Sequence, residues 1–248
     1  MSSFEKYRTG GAYHWNQADR RWNNRAFNPP LLARYIALLR LMPDVSHYVL
    51  DVGCGDGYLM HCLLASGRVQ YAFGVDTSQI GLSLAHERLT QQNYEGNWSV
   101  SAAFGEMLPV LDNSFDVVTF ADVIEHLEQP ERTLAEVYRV LTDDGTLLVS
   151  TPNWNPQRKW DKLHVKEFKP DELEALLKRH FSHVYITACW PMRWFWRWTG
   201  GGAWRRAIDV MARLGYNPFL TVTKRPTPAY GQLLAVCRKS EMHWADTG

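Results

Sequence analysis

Short hydrophobic runs alternate along the chain with longer segments in which hydrophobic residues recur every three or four positions. The short runs predict seven strands, at residues 47–52, 70–75, 98–103, 115–121, 146–151, 183–189 and 232–237. The longer segments predict five helices. One follows Pro29 and Pro30, and the other four lie near residues 59–66, 80–89, 130–141 and 171–180. Strands that are separated by helices need crossover connections, which build a parallel sheet covered on both faces. We therefore predict an α/β fold with a doubly wound, mostly parallel sheet of seven strands.

The composition is that of a folded globular chain and excludes several broad classes. The 248 residues are 46% hydrophobic and 21% charged, which excludes a disordered or collagen-like chain. Basic residues (27) nearly balance acidic residues (26), so the net charge does not favour a nucleic-acid partner. The four cysteines show neither a Cys-x-x-Cys pair nor a zinc spacing, which is typical of a reduced protein. With no secretory signal or membrane span visible in the sequence, we expect a cytoplasmic protein.

The strongest functional signal is a glycine-rich loop that follows the first strand. Gly53, Gly55 and Gly57 stand at alternate positions between this strand and a helix. Glycine tolerates positive φ and lets a ligand approach the backbone, because it has no Cβ. A dinucleotide fingerprint would need glycine where the chain has Tyr58, so NAD is disfavoured. Asp76 ends the second strand, where a carboxylate either binds ribose hydroxyls or caps the next helix; with the loop, it favours a nucleoside ligand.

Five ordered motifs resemble those of the class I S-adenosylmethionine-dependent methyltransferases. They are residues 49–58, 104–109, 114–118, 124–127 and 141–147. The resemblance runs from about residue 47 to residue 181 and is closest to the quinone-biosynthesis and natural-product methyltransferases. It implies a Rossmann-like methyltransferase fold and S-adenosyl-L-methionine as the cofactor, and says little about the substrate. One departure is Phe104, where many relatives have an aspartate; we expect its ring to pack against the adenine.

The resemblance also implies roles for individual residues around the cofactor. Asp51 would hold the methionyl ammonium, next to Gly53 and Gly55. Asp76 would bind the ribose hydroxyls, with Thr77 beside the adenine. The remaining expected contacts are Gly105 and Glu106 at the adenine edge, and Ala121 and Asp122 near the sulfonium.

Two histidines are candidates for catalysis, since an imidazole titrates near neutral pH. His126 follows the fourth strand, and His164 lies in the connection after the fifth strand. A hydroxyl acceptor gains about 10²–10⁴-fold in rate from a general base, whereas a neutral amine needs much less help. Each histidine has an alternative role in holding its own loop. Methyl transfer by these routes requires no metal and the sequence shows no metal-ligand spacing, so we expect no metal site.

Four further residues are candidates for contact with the acceptor or the cofactor. His14 and Trp15 belong to an N-terminal segment that either folds over the site as a lid or packs in the core. Asn153 ends the fifth strand and contacts either the acceptor or a loop. Arg34 either reaches the cofactor carboxylate or, as we expect, lies on a solvated helix face.

The chain divides into four predicted parts, of which the third departs from the pattern. They are N-terminal cap helices (1–46), a cofactor-binding core (47–189), a cap insertion (190–229) and the last strand with its tail (230–248). Residues 190–225 hold five tryptophans and seven basic residues against one acidic residue. Aromatic and basic residues on an amphipathic helix are typical of a membrane interface. The alternatives are a packed aromatic cap over the acceptor pocket, a nucleic-acid platform and a surface for a partner protein.

The sequence therefore predicts methyl transfer from S-adenosylmethionine to a hydroxyl of a small, amphiphilic metabolite. One alternative is N-methylation of a small amine or sugar. An alternative of another class is a regulatory or assembly protein that binds the cofactor without turnover, because the glycine motif serves all three. Segment 190–225 would allow peripheral membrane contact, and the sequence leaves the oligomeric state open.

Overall fold

A computed structural model describes residues 5–94, 96–158 and 161–239, and these build a seven-stranded sheet. The order of the strands across the sheet is β3-β2-β1-β4-β5-β7-β6. The last strand runs antiparallel to both of its neighbours, and the other pairs are parallel. The predicted doubly wound, mostly parallel sheet is confirmed. The strands are β1 (Ser46–Val52), β2 (Val69–Asp76), β3 (Trp98–Ala102), β4 (Phe115–Ala121), β5 (Leu141–Pro152), β6 (His183–Pro191) and β7 (Tyr230–Arg238).

Nine α-helices and two short 3₁₀ turns connect these strands in the described part of the chain. The turns are Ile124–His126, after β4, and Pro218–Leu220, before β7. None of the described helices is long and apolar enough to cross a membrane. The helices are α1 (Glu5–Gly10), α2 (Tyr13–Ala18), α3 (Pro29–Leu41), α4 (Tyr58–Ala65), α5 (Gln79–Thr90), α6 (Pro130–Val140), α7 (Pro170–Leu177), α8 (Met192–Thr199) and α9 (Gly202–Arg213).

The strands alternate their side chains between two hydrophobic cores, one on each face of the sheet. Val49 and Val117 belong to the core that also contains the apolar faces of α3, α4 and α5. Their neighbours Leu50 and Val118 belong to the core on the other face, with α6 and α7. All four side chains are fully buried. Continuous hydrophobic runs, rather than alternating ones, are therefore what the central strands require.

The boundary between α6 and β5 differs from the prediction for a physical reason. The helix expected at 130–141 ends at Val140, because Leu141 pairs with Phe115 and begins β5 five residues earlier than expected. The predicted cap insertion after β6 contains two helices, α8 and α9, with Gly200 and Gly201 between them. The tail at 240–248 lies outside the described residues.

The order of the strands locates the expected ligand site. The chain moves outward from β1 to β2 and β3, and then returns to place β4 on the other side of β1. Ligands of such sheets bind beyond the carboxyl ends of the strands at this switch point. The loop after β1, the end of β2 and the turn after β4 all lie at this edge.

Candidate active site

The loop after β1 depends on three glycines in the left-handed region. The φ angle is +75° at Gly53, +53° at Gly55 and +74° at Gly57, where other residues are strained. A Cβ at Gly53 would lie 2.5 Å from a methyl carbon of Val123. A Cβ at Gly57 would lie 2.9 Å from the Cβ of Ala85. The sharp turn from β1 into α4 therefore needs glycine both for its positive φ angles and because there is no space for a Cβ.

Hydrogen bonds fix this loop to the end of β2. The backbone nitrogen of Gly53 donates to the carbonyl of Val75 at 2.7 Å. Asp76 accepts from the backbone nitrogen of Gly55 at 2.8 Å and from that of Ser78 at 2.7 Å, through different oxygens. The side chain of Ser78, not that of Asp76, caps α5. Since each carboxylate oxygen has a second lone pair, Asp76 shapes the loop and keeps acceptor capacity for a ligand.

Asp51 is a buried carboxylate on β1, two residues before the loop. Its Oδ1 accepts a hydrogen bond of 2.7 Å from the hydroxyl of Thr119 on β4. Burial raises the pKa of Asp51 to about 7, against the lowering effect of that bond. A cationic group bound beside Asp51 would lower this pKa again, so the site favours a positively charged ligand.

The N-terminal segment (residues 5–18), which we call the lid, contacts the glycine loop, and its Tyr13 and Trp15 also pack against the core. The buried carboxylate of Asp56 accepts from the backbone nitrogen of His14 at 2.7 Å and from its Nδ1 at 2.9 Å. The carbonyl of Asp56 accepts from Nε1 of Trp15 at 2.7 Å. On α1, the hydroxyl of Tyr7 lies so close to Gly55 that a Cβ there would be 1.9 Å away from it. These contacts attach His14 and Trp15 to the loop, and contact of either with an acceptor stays a prediction.

The adenine edge of the expected cofactor cleft is open to solvent. Thr77 and Glu106 are exposed, and the side chain of Phe104 is 51% exposed. Gly105 is closely packed, since a Cβ there would lie 2.7 Å from the methyl carbon of Thr133. This edge therefore offers an aromatic face and a carboxylate at the surface, while the lid covers the glycine loop.

Asp122, directly after β4 and Ala121, has a strained backbone. Its φ angle is +55°, and such a conformation costs a non-glycine residue about 1–3 kcal/mol. Arg34 of α3 forms an ion pair with one carboxylate oxygen, and Ser150 and Gln232 donate to the other at 3.1 and 2.5 Å. Arg34 is only 8% exposed, so the expected solvated face is wrong. The reason is that the Asp122 carboxylate compensates the buried guanidinium.

The two histidines proposed for catalysis meet beside the end of β4. Their ring centroids are 4.9 Å apart in an edge-to-face arrangement, although 38 positions separate them in the sequence. Nδ1 of His126 lies 3.0 Å from the carbonyl of Leu163. Nδ1 of His164 lies 2.9 Å from Oε1 of Glu167. Burial lowers the pKa of His126, so its ring is neutral near pH 7.

Glu125, which the sequence analysis did not single out, completes a cluster with these histidines. It is fully buried, and its Oε2 accepts a hydrogen bond of 2.9 Å from Thr151. Its Oε1 has no hydrogen-bond partner among the described residues. Burial, and then the charge of Asp122, raise the pKa of Glu125 well above its ordinary value. One ligand atom from each of Glu125, His126 and His164 lies within 4.8 Å of the other two.

Asn153 is buried and ties two loops together. Its amide nitrogen donates to the carbonyls of Thr227 and Tyr230 at 2.9 and 2.8 Å. Asn153 was predicted to contact either the acceptor or a loop, and these hydrogen bonds are contacts with a loop. Contact with an acceptor stays a prediction.

The insertion between β6 and β7 is partly packed and partly exposed. Ile208 of α9 and Phe219 pack against Ala33 of α3 in a small core of their own. Arg213 points inward and donates to backbone carbonyls of residues 20, 21 and 24, so it is not part of a basic surface. The exposed part, which we call the Trp/Arg surface, consists of Arg193, Trp196, Arg197, Trp204, Arg205 and Arg206.

Two surface cavities lie away from this site. One, of about 490 Å³, is lined by Tyr48, Tyr71 and Phe115 near the amino ends of the strands. The other, of about 760 Å³, lies beside Trp98 on β3. Neither contains the carboxylates or histidines described above, so we place the chemistry at the carboxyl edge.

Comparisons with known proteins assign the chain to a family. A family model described as a methyltransferase domain matches residues 50–149. The ubiquinone biosynthesis O-methyltransferase of Pseudomonas fluorescens is 32% identical over 176 residues, which cover 68% of each chain. The chain belongs to the class I S-adenosylmethionine-dependent methyltransferases. This membership confirms the predicted family, the enzyme class and S-adenosylmethionine as the cofactor.

Two further similarities set the limits of that assignment. A Mycobacterium tuberculosis protein named "Probable S-adenosylmethionine-dependent methyltransferase" is 37% identical over 134 residues, or 52% of this methyltransferase chain. The match covers 46% of that relative, so the chain spans about half its length. The structure of Haemonchus contortus phosphoethanolamine N-methyltransferase 2 with S-adenosyl-L-methionine is similar at a TM-score of 0.64. At 16% identity over 96% of this chain and 60% of that one, this likeness shows the fold alone.

Proposed function

We propose that this chain transfers a methyl group from S-adenosylmethionine to a hydroxyl of a small, amphiphilic acceptor. The observation that carries the proposal is the meeting of His126 and His164 beside Asp122, at the end of β4. Nitrogen bases beside the reacting atoms serve a hydroxyl acceptor, which must lose a proton, more than a neutral amine. The name of the Pseudomonas fluorescens relative, an O-methyltransferase, also supports this proposal.

The residues at the carboxyl edge fit the cofactor. Gly53 and Gly55 present backbone without a Cβ, and Asp76 retains lone pairs for the ribose hydroxyls. Asp51, whose pKa burial raises to about 7, would gain from the ammonium group of the methionine part. Bound there, the cofactor supplies an electrophilic methyl group on its sulfonium. The residues have only to align an acceptor with that methyl, which is worth roughly 7–11 kcal/mol of barrier reduction.

The lid must move before the cofactor can reach the loop. The hydroxyl of Tyr7 lies directly over Gly55, where the cofactor would contact the backbone. The helices α1 and α2 have six residues each, and Asp56 holds α2 through His14 and Trp15. We infer that α1 opens for binding and closes afterwards, which excludes water from the reacting atoms.

The histidine pair would activate the acceptor. The carbonyl of Leu163 can only accept a hydrogen bond, so Nδ1 of His126 carries the proton and its Nε2 carries the lone pair. The carboxylate of Glu167 has the same effect on His164. In the neutral form of each ring, Nε2 therefore carries a lone pair, on the acceptor side of Asp122. These nitrogens can accept the hydroxyl proton directly or bind an ion that acidifies the hydroxyl.

The reaction is tested with labelled S-adenosylmethionine and a panel of phenols, sugars and amines. We expect label in a phenolic product, and a loss of about 10²–10⁴-fold in kcat for His126→Ala and His164→Ala. His180→Ala is the matched control, because His180 also bonds to a carboxylate, that of Glu131, but lies outside the site. Full activity of both site variants on a hydroxyl acceptor would contradict the role of the histidines.

The same panel separates the two alternatives. Transfer to an amine alone, with no effect of the histidine variants, would make the chain an N-methyltransferase. Tight cofactor binding without turnover of any acceptor would instead favour a regulatory or assembly protein.

We also propose that the Trp/Arg surface contacts a membrane from the cytoplasmic side and admits an amphiphilic acceptor. Trp196 and Trp204 are 41% and 55% exposed beside four exposed arginines. The guanidinium of Arg197 lies 5.1 Å from the ring centre of Trp204, so the charge and the aromatic face form one surface. Aromatic burial at the interface and attraction to anionic lipid add together.

Sedimentation with vesicles tests this contact. We expect binding to vesicles rich in anionic lipid, weakened by salt and by the double variant Arg205→Glu/Arg206→Glu. Arg132→Glu/Lys178→Glu makes the same change of charge on α6 and just after α7, and is expected to bind normally. If both double variants bind equally, or if the wild type stays in the supernatant, the surface has another use.

A further inference from the structure

We propose that Glu125, His126 and His164 bind a divalent transition-metal ion, for which Zn²⁺ is the test ion. One ligand atom from each residue lies within 4.8 Å of the other two. Two imidazole nitrogens and one carboxylate oxygen form the donor set of many zinc enzymes, which leave a further position open. The expectation of no metal site rested on sequence spacing, and spacing alone did not show that His164 returns to the turn after β4.

The hydrogen bonds of both histidines are those of metal ligands. A metal-binding histidine almost always donates its other ring N–H to a carbonyl or a carboxylate. His126 donates through Nδ1 to the carbonyl of Leu163 at 3.0 Å, and His164 donates through Nδ1 to Glu167 at 2.9 Å. In the neutral form of each ring, Nε2 therefore carries the lone pair that would bind a metal.

The carboxylate of Glu125 has one oxygen whose partner the structure does not supply. Its side chain is fully buried, and only Oε2 is satisfied, by the hydroxyl of Thr151 at 2.9 Å. Oε1 lies in the protein with no hydrogen-bond partner among the described residues. A buried polar atom without a partner is costly and calls for an explanation, such as a bound ion. The charge of a divalent ion would stabilise this carboxylate.

The segment that carries His164 is fixed in place by Glu125 itself. The backbone nitrogens of Val165 and Lys166 donate to the carbonyl of Glu125 at 2.8 and 3.1 Å. Glu167, which orients His164, is held in turn by Arg158 at 2.6 Å. Ligands that are already oriented lose little entropy on binding, so the cluster is preorganised for an ion.

The ion would act on the acceptor through its open position. A hydroxyl bound there has a lower pKa and ionises nearer to neutral pH. This role in catalysis rests on the proposed methylation of a hydroxyl, whereas the binding of the ion does not. The competing explanation is a hydrogen-bonded cluster in which a protonated Glu125 donates to a histidine.

Metal binding is measured on the full chain without cofactor or acceptor. After treatment with a chelator, Co²⁺ is titrated and followed by its visible absorption, and Zn²⁺ by calorimetry. We expect one ion per chain and at least tenfold weaker binding in Glu125→Gln, His126→Ala and His164→Ala. His180→Ala, the matched control, is expected to bind within twofold of the wild type. Circular dichroism of each variant confirms that it is folded.

The outcomes separate this proposal from the proposed function. Binding far below one equivalent, or equal binding by the wild type and a folded His126→Ala/His164→Ala variant, would overturn the metal site. Stoichiometric binding that the three substitutions weaken would support it, even if no acceptor were methylated. Full transfer to a hydroxyl by the chelated protein would overturn the role of the ion in catalysis and leave the histidines as bases.

Discussion

Burial raises the pKa of Asp51 to about 7. Because this pKa differs between the folded and unfolded states, the stability of the protein depends on pH in a way that can be measured. In the unfolded chain the pKa of Asp51 lies near 3.8, so between about pH 4 and pH 7 the folded state holds a proton that the unfolded state has lost. Unfolding then releases this proton, and the free energy of unfolding falls as the pH rises. Above pH 7 the group is ionised in both states and the dependence ends.

Between pH 5 and pH 7, we therefore expect the melting temperature to fall less in Asp51→Asn than in the wild type. The asparagine cannot ionise, so the penalty for a buried charge disappears, while binding of the cofactor ammonium weakens. Thermal melts of the two proteins at each pH provide the measurement. Asp44→Asn, which changes an exposed aspartate, is the control and is expected to follow the wild type. Parallel curves for all three proteins would show that Asp51 ionises normally.

The ion pair of Arg34 and Asp122 is a second test at the scale of residues. Both side chains are largely buried, at 10% and 19% exposure. Removal of one partner leaves a buried charge unpaired, which typically costs about 3–5 kcal/mol. We expect Arg34→Met and Asp122→Asn each to lower the free energy of unfolding in urea, and the double variant to lose less than the sum. Additive losses would mean that the two groups do not interact.

At the scale of elements, the sequence predicted the sheet better than the lid. Each of the seven strands contains a hydrophobic run that needs no partner to be recognised, and all seven were found, although β5 begins five residues earlier than expected. The helices α1 and α2 have six residues each, which is too short for a helix to be stable alone. In the structure α2 is held by the bonds of His14 and Trp15 to Asp56, 42 and 41 positions away, and no local pattern predicts such a contact.

The same limit applies to the cluster beside β4. The adjacency of Glu125 and His126 was visible, but the burial of Glu125 and the approach of His164 depend on the connection after β5. The sequence could therefore nominate both histidines without showing that they meet. Arg34 was misjudged for a similar reason, since its partner Asp122 lies 88 positions away.

The lid gives a prediction at the scale of elements. Asp56→Asn removes the charge that accepts both hydrogen bonds of His14, so α1 and α2 should open more often. We expect faster hydrogen exchange at residues 5–18 in this variant, with exchange in β1 and β4 unchanged. Asp19→Asn is the control, because its ion pair with Arg21 is exposed and close to the same segment. Equal exchange in all three proteins would mean that Asp56 does not hold the lid.

At the scale of the whole molecule, the order of the strands gathers the site. The switch between β1 and β4 brings together the glycine loop, Asp122 and the histidine cluster, which lie far apart in the sequence. Fold class and cofactor could be predicted because they depend on this local loop and on the pattern of strands. The identity of the acceptor could not, because it depends on side chains from distant parts of the chain that no local motif brings together.

The central claim is that the glycine loop binds S-adenosylmethionine, and calorimetry with this compound tests it most directly. We predict one site per chain, and at least tenfold weaker binding in Gly55→Ala, a loss of about 1.4 kcal/mol. Gly67→Ala strains a left-handed glycine at the other end of α4, in open space, and should bind normally. No heat from the wild type with the cofactor or its demethylated product, together with tight binding of a pyridine dinucleotide, would contradict the account.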